Sequence, residues 1–195
     1  MRDILQDIAR DDKRASGVIN GLRAMLRRQE TPRERVDLGS AVAEVIDLMH
    51  SDFLGHGIEV THSLGEDCIA LTDKAQVQQV MLNLMMNASE AMAHLPAGER
   101  RLEIAVSRGD EQVSVAVCDC GHGIPEEQIG KVFDRFYTTK AQGLGMGLAV
   151  CRSILEAHGG NIRVEPNEDQ GVTFVFMLPL DVHSRAATVL ALARA

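Results

Sequence analysis

The stretch Asn-Leu-Met-Met-Asn-Ala-Ser-Glu-Ala-Met, residues 83–92, lies inside a long predicted helix. Asp73 followed by Gln76 is a capping-box pattern, so we expect the helix to begin there and to run to about His94. Its apolar residues fall on one side, namely Val77, Met81, Leu84, Ala88, Ala91 and Leu95. Its polar residues fall on the other side, namely Gln79, Asn83, Asn87, Glu90 and His94.

The two asparagines of this stretch, Asn83 and Asn87, lie one helical turn apart. Asparagine is a poor helix former, so the pair needs a reason beyond helix propensity. An ordinary solvated face is one reason. A magnesium site is another, because one side-chain oxygen beside phosphate oxygens and waters satisfies this hard octahedral cation. The helix alone leaves both interpretations open.

Two alternating strands are predicted next, over residues 102–108 and 112–119. Asp119 is in phase with the valines of the second strand, so its carboxylate points toward the core and needs a partner. Gly121 and Gly123 follow and leave room for a flat ring near the backbone. Asp119 would then accept a hydrogen bond from an exocyclic amine such as that of adenine. An ordinary turn after a strand is the alternative.

A second glycine-rich stretch, Gly-Leu-Gly-Met-Gly-Leu at residues 143–148, runs into a predicted helix that ends at His158. Exposed amides at a helix N-terminus suit phosphate binding. The stretch is neither a Walker loop nor a dinucleotide-binding fingerprint, because the required Gly-Lys-Ser/Thr and glycine spacing are missing.

The remaining pattern predicts an α+β fold with helices on one face of a mixed sheet. Asp37 can cap a helix that Gly55 and Gly57 end. Further strands are expected at residues 57–63, 68–71, 161–166 and 172–178. Before them, a seam of alternating three- and four-residue steps predicts a coiled-coil-like helix; its members are Leu5, Ile8, Asp12, Ala15, Ile19, Leu22 and Leu26.

Composition limits the possible partners and compartments. The formal charge is −8 at pH 7, which disfavours a nucleic-acid surface. The four cysteines lack Cys-x-x-Cys spacing, so reduced thiols are expected. No apolar run reaches membrane-spanning length, and the charged start is unlike a signal peptide. We expect a cytoplasmic location without a membrane span in this chain, although a longer protein could be membrane-anchored.

Taken in order, these motifs resemble the four boxes of the histidine kinase branch of the superfamily that includes DNA gyrase. Residues 83–92 resemble the N box, 119–123 the first glycine box, 133–140 the F box and 143–148 the second glycine box. His-Gly-Gly at 158–160 and Gly-Val-Thr-Phe at 171–174 are similar to the nitrogen- and oxygen-responsive sensor kinases. The resemblance covers about residues 1–180.

This resemblance implies a two-layer α/β sandwich of the Bergerat type, with ATP or ADP between the long helix and a mobile lid over residues 122–146. It implies that Asn87 coordinates Mg²⁺ and that Asp119 reads adenine, with Gly121 and Gly123 beside it. It also implies that Lys140 reaches the terminal phosphate and Thr173 holds an adenine-bridging water, although a surface lysine and a strand threonine fit equally well. The remaining implied nucleotide contacts are Gly143, Gly145, Gly147 and Leu148.

Position 83 separates members of this superfamily. ATP-hydrolysing relatives are expected to carry a glutamate there as general base, whereas the Asn83 amide cannot take a proton. The sequence therefore favours a kinase over an ATPase.

The implied domains are residues 1–32, the second helix of a dimerisation bundle; 33–182, the ATP-binding domain; and 183–195, a tail. None of the seven histidines lies on the first helix or precedes an acidic residue, so we expect the phosphate acceptor outside this chain. A chain without its acceptor should be inactive alone. The resemblance also implies a response regulator receiver domain as partner and a homodimer through the first helix. Two alternatives stay open, a nucleotide-dependent regulatory module and an anti-sigma-type serine kinase.

Overall fold

A computed structural model describes residues 32–139 and 143–181. The predicted first helix, the tail and Lys140 lie outside these ranges. The described chain forms four helices, and their bounds are α1 Leu38–Gly55, α2 Lys74–Ala91, α3 Glu126–Ile129 and α4 Gly147–Ala157. None of these helices is long and apolar enough to cross a membrane.

Seven strands accompany the helices in two sheets. A small antiparallel sheet pairs β1 with β3, and a larger sheet has the order β2-β4-β5-β7-β6. In the larger sheet β2 runs parallel to β4 and the other pairs are antiparallel. The strand bounds are β1 Glu34–Asp37, β2 Ile58–Leu64, β3 Ile69–Thr72, β4 Arg100–Arg108, β5 Gln112–Asp119, β6 Asn161–Pro166 and β7 Val172–Pro179.

The core lies between the larger sheet and helices α1, α2 and α4. One row of paired side chains across the sheet shows its inner face: Ile104, Val117, Phe174 and Val164. All four are buried, as period-two alternation requires for residues on the core side. The predicted two-layer α+β sandwich is confirmed. The short strand β1 and the single-turn helix α3 were not predicted.

The long helix begins as predicted. Asp73 Oδ1 accepts hydrogen bonds from the backbone N–H groups of Ala75 and Gln76, at 2.8 and 3.2 Å. The predicted end at about His94 is wrong by three residues, because the helix ends at Ala91. Beyond Ala91 the backbone hydrogen bonds span three residues instead of four, as in the bond from Leu95 N–H to Met92 O. Pro96 then disfavours further helix. His94 therefore lies past the end of the helix.

Candidate functional site

A buried carboxylate at the end of β5 is the first element of the site. Asp119 is 3% exposed and lies across from Leu102 on the inner face of the sheet. Its Oδ1 accepts a hydrogen bond from Gly121 N–H at 2.8 Å, and the Val172 N–H also bonds the carboxylate. Burial raises the pKa of Asp119, while these two amides and nearby His122 lower it. A desolvated carboxylate so held is a strong acceptor for an amine donor.

Gly121 brings the loop after β5 against the end of α2. A β-carbon on Gly121 would lie 2.7 Å from Ala91 Cβ and 2.8 Å from Ala91 O. Next to it, His122 N–H donates to Ala91 O at 3.4 Å. Only glycine permits this approach, which places Asp119 beside the C-terminal half of α2.

The polar face of α2 meets the start of α4. Asn83 Nδ2 donates to Cys151 Sγ at 3.6 Å, and an ideal β-carbon on Gly147 would lie 3.9 Å from Asn83 Oδ1. Burial raises the pKa of the Cys151 thiol to about 12, so this contact joins two neutral groups. Asn87, the next residue along this face, is half-buried.

The second glycine box forms the approach to α4. Gly145 has a φ of +63°, and a β-carbon on it would lie 2.5 Å from the carbonyl carbon of Phe136. Gly147 is the first residue of α4, and the N-cap residue Met146 makes no side-chain capping hydrogen bond. First-turn amides without such a cap fit an anion at this end of the helix. Gly143 is half-buried, and Leu148 packs against the core.

The segment between the two glycine boxes has apolar contacts that the sequence analysis did not predict. Val132 is buried, and the Phe133 ring packs edge-on against Phe174 with 6.3 Å between centroids. The Arg152 guanidinium lies 5.9 Å from the Phe133 ring centroid. Phe136 N–H donates to Gly145 O at 2.9 Å, which joins this segment to the second glycine box. The mobility of residues 122–146 stays a prediction.

Thr173 does not join the other predicted site residues. It pairs with Cys118 across the sheet, and Cys118 and Asp119 point to opposite faces of β5. Its hydroxyl donates to Asn167 Oδ1 at 2.7 Å. Val172, one residue earlier, is the β7 residue whose backbone reaches the Asp119 carboxylate. The predicted adenine-water role of Thr173 therefore does not fit the register of β7.

The donor chemistry of the site fits magnesium through Asn87. Over residues 32–139 and 143–181, no group of three or more His, Cys, Asp or Glu side chains could hold a metal ion. Mg²⁺ commonly takes one or two protein oxygens and completes its octahedron with phosphate oxygens and waters. Asn87 lies on α2 one turn after Asn83, which contacts α4, and one turn before Ala91, which contacts Gly121, and its amide oxygen suits that pattern.

Comparison with known proteins agrees with this geometry. Residues 72–182 match the family described as Histidine kinase-, DNA gyrase B-, and HSP90-like ATPase. The sensor histidine kinase TmoS of Ectopseudomonas mendocina is 36% identical over 182 residues, which are 92% of this chain and 19% of TmoS. The sensor protein FixL of Bradyrhizobium diazoefficiens is 37% identical over 171 residues, 85% of this chain and 33% of FixL. The chain thus spans about a fifth of TmoS and a third of FixL.

Solved structures give the same result. The nucleotide-free catalytic domain of histidine kinase ThkA superposes with a TM-score of 0.69 and 34% identity, covering 77% of this chain and 97% of that one. ThkA in complex with the response regulator protein TrrA gives a TM-score of 0.70 with 29% identity, covering 87% of this chain and 49% of that one.

The chain belongs to the family of histidine kinase-, DNA gyrase B- and HSP90-like ATPases. Within it, the domain is the ATP-binding catalytic domain of the two-component sensor histidine kinase type. Neither alternative from the sequence, the regulatory module or the serine kinase, is favoured by these relatives.

Proposed function

We propose that this chain binds Mg·ATP and delivers the γ-phosphate to a histidine on a dimerisation helix. The observation that carries the proposal is the buried carboxylate of Asp119, which is held by the amides of Gly121 and Val172 beside the C-terminal half of α2. The adenine amino group donates to this carboxylate. The phosphates then extend toward Gly147 at the start of α4.

Each remaining group has a proposed task in this arrangement. Asn87 supplies one oxygen to Mg²⁺, which when bound neutralises charge on the phosphates. Gly143 and Gly145 admit the phosphates to the backbone, and Lys140 reaches the terminal phosphate. In the transfer, an imidazole nitrogen of the acceptor forms a bond to the γ-phosphorus. The bond from that phosphorus to the bridging oxygen breaks, and ADP leaves with the electron pair.

Asn83 cannot act as a base that activates water to compete with the histidine. Its Nδ2 donates to Cys151, and an amide cannot accept the proton that a hydrolytic water must lose. Hydrolysis by this site should therefore be slow, so the phosphate is retained for the protein acceptor.

The proposed partners follow from the sensor kinase relatives. The phosphate passes on to a response regulator receiver domain, and the complex of ThkA with TrrA supports a partner of that kind. A homodimer through the predicted first helix is also proposed, and the acceptor histidine would lie on a helix outside this chain that pairs with it. The cytoplasm is the proposed location, which is supported by the free thiols of all four cysteines, Cys68, Cys118, Cys120 and Cys151.

Transfer of label from γ-labelled ATP tests this function. We expect the chain alone to bind ATP without acquiring acid-labile label and to release phosphate slowly. A helix pair from a related sensor kinase, carrying its histidine acceptor, should become labelled when added in trans. An otherwise identical acceptor with alanine at that histidine is the control. Rapid phosphate release, or label on serine rather than histidine, would contradict the proposal.

A further inference from the structure

The turn between β6 and β7 lies against the backbone of Asp119, the residue proposed to read adenine. Asn167, half-buried in this turn, donates from Nδ2 to Asp119 O at 2.9 Å. The same Nδ2 lies 3.4 Å from Cys118 Sγ and 3.3 Å from Gln170 O. One side-chain amide thus joins the turn to the last residues of β5.

The orientation of the Asn167 amide is fixed from its other end. Thr173 Oγ1 donates to Asn167 Oδ1 at 2.7 Å, so the amide oxygen is the acceptor and the NH₂ group must face Asp119. The Asn167 backbone N–H donates to Gly171 O at 3.2 Å and closes the turn. Asn167 is therefore held by its backbone and by both ends of its side chain.

Gly171, in the same turn, packs against the backbone of Asp119 and Cys120. A β-carbon on Gly171 would lie 1.9 Å from Asp119 O and 2.8 Å from Cys120 Cα, so the turn is packed directly on that backbone. The next residue, Val172, bonds the Asp119 carboxylate through its N–H. The turn thus contacts Asp119 at its carbonyl through Asn167 and at its carboxylate through Val172.

We propose that Asn167 is a positioning residue for base recognition: it fixes the backbone of Asp119 so that the carboxylate meets the exocyclic amine of adenine. The inference rests on the proposed adenine-reading role of Asp119. Asn167 acts through Asp119 and needs no contact with nucleotide. A hydrogen bond weakens steeply when its geometry is lost, so a small displacement of the carboxylate reduces selectivity for the amine.

Comparing the affinities for two nucleotides distinguishes this positioning role from a general effect on stability. The measurement is the dissociation constant for Mg·ATP and for Mg·purine riboside triphosphate, which lacks the amino group. Wild type should prefer ATP. Asn167→Ala should weaken ATP binding about fivefold and leave the analogue nearly unchanged, so the preference falls by about the same factor. Glu168→Ala, an exposed change in the same turn, should keep the wild-type preference.

The isosteric Asn167→Asp provides a second variant if the alanine variant does not fold. It keeps the acceptor for Thr173 but loses the N–H donors, so the same fall in preference is expected. If the variants keep the full wild-type preference, or lose affinity for both nucleotides in parallel, the role of Asn167 is overturned. The adenine-reading role of Asp119 would still stand. Equal affinities in wild type would instead overturn the adenine-reading role of Asp119, and the inference with it.

Discussion

The Nδ2 atom of Asn83 lies 3.6 Å from the Sγ atom of Cys151, and this contact joins α2 to α4. Helix α2 carries the proposed magnesium ligand, Asn87, and helix α4 begins at Gly147, which is proposed to admit phosphate. The relative position of these two groups depends on how the two helices pack. A contact between the helices next to the site is therefore expected to matter for stability.

A double-mutant cycle tests this contact. Asn83→Ala should lower the free energy of unfolding by about 1 kcal/mol, the usual net loss for one hydrogen bond. Cys151→Ala should also destabilise, because the thiol is fully buried. The double variant should lose less than the sum, with a coupling of about 0.5 kcal/mol or more in urea unfolding. Strict additivity would mean that the two side chains do not interact.

Asn87→Ala should weaken Mg·ATP binding at least about tenfold, or about 1.4 kcal/mol, because one magnesium ligand is removed. Stability should change little, since the residue lies on the polar face of α2. Calorimetric titration measures the affinity, and Gln79→Ala, two turns earlier on that face, is the matched control. Equal affinity for wild type and Asn87→Ala would show that Asn87 does not hold the metal.

Gly171 and Gly98 form a matched pair for a test of packing against Asp119. Their φ angles are +92° and +93°, but a β-carbon on Gly98 would meet nothing within 4 Å. Gly98→Ala should therefore cost only the backbone strain, about 1 kcal/mol. Gly171→Ala adds a clash with Asp119 O and should cost several times more or prevent folding. Urea unfolding compares them, and similar losses would be incompatible with the described packing.

His158 should make stability fall at mildly acidic pH. The side chain is buried, and its Nε2 lies 3.0 Å from Gln76 Oε1. Burial lowers the pKa of His158 below its ordinary 6.5, nearby Arg33 lowers it further, and Asp73 raises it. The unfolded chain then binds more protons than the native one below about pH 6.5, so stability is full above that pH and is lost as pH falls through the lowered value.

The control for this effect is His158→Gln, which has no titrating group at this position. Thermal unfolding at pH 7.5 and at pH 5 should show a smaller fall in stability for the variant than for wild type. An identical pH dependence in both proteins would exclude His158 as a source of it.

Local patterns predicted most of the fold. The Asp73 cap, the valine alternation before Asp119 and the glycine boxes each depend on residues near one another in sequence, and the structure has the corresponding elements. The end of α2 was misplaced because the hydrogen bonds tighten to three-residue spacing after Ala91, where Ala91 O accepts from His122 N–H, a residue distant in sequence. Similarly, Thr173 was assigned to the site because strand register, which decides the face of a side chain, is not visible in a motif.

Long-range contacts also account for the site residues that were missed. Asn167 lies 48 positions from Asp119 and reads in the sequence as an ordinary turn residue. Cys151 lies 68 positions from Asn83 and reads as core. A hydrogen bond between such positions has no periodic signal, so only the folded chain reveals it. In contrast, the phase of Asp119 within β5 was visible from its valine neighbours.

Calorimetric titration of Mg·ATP into wild type and Asp119→Asn tests the central claim most directly. The substitution keeps the size of the side chain but replaces one acceptor oxygen by an NH₂ group that cannot accept from the adenine amine. We predict saturable binding of one nucleotide per chain in wild type and at least about tenfold weaker binding in Asp119→Asn. Equal affinity in the two proteins, or no saturable binding in wild type, would contradict the account.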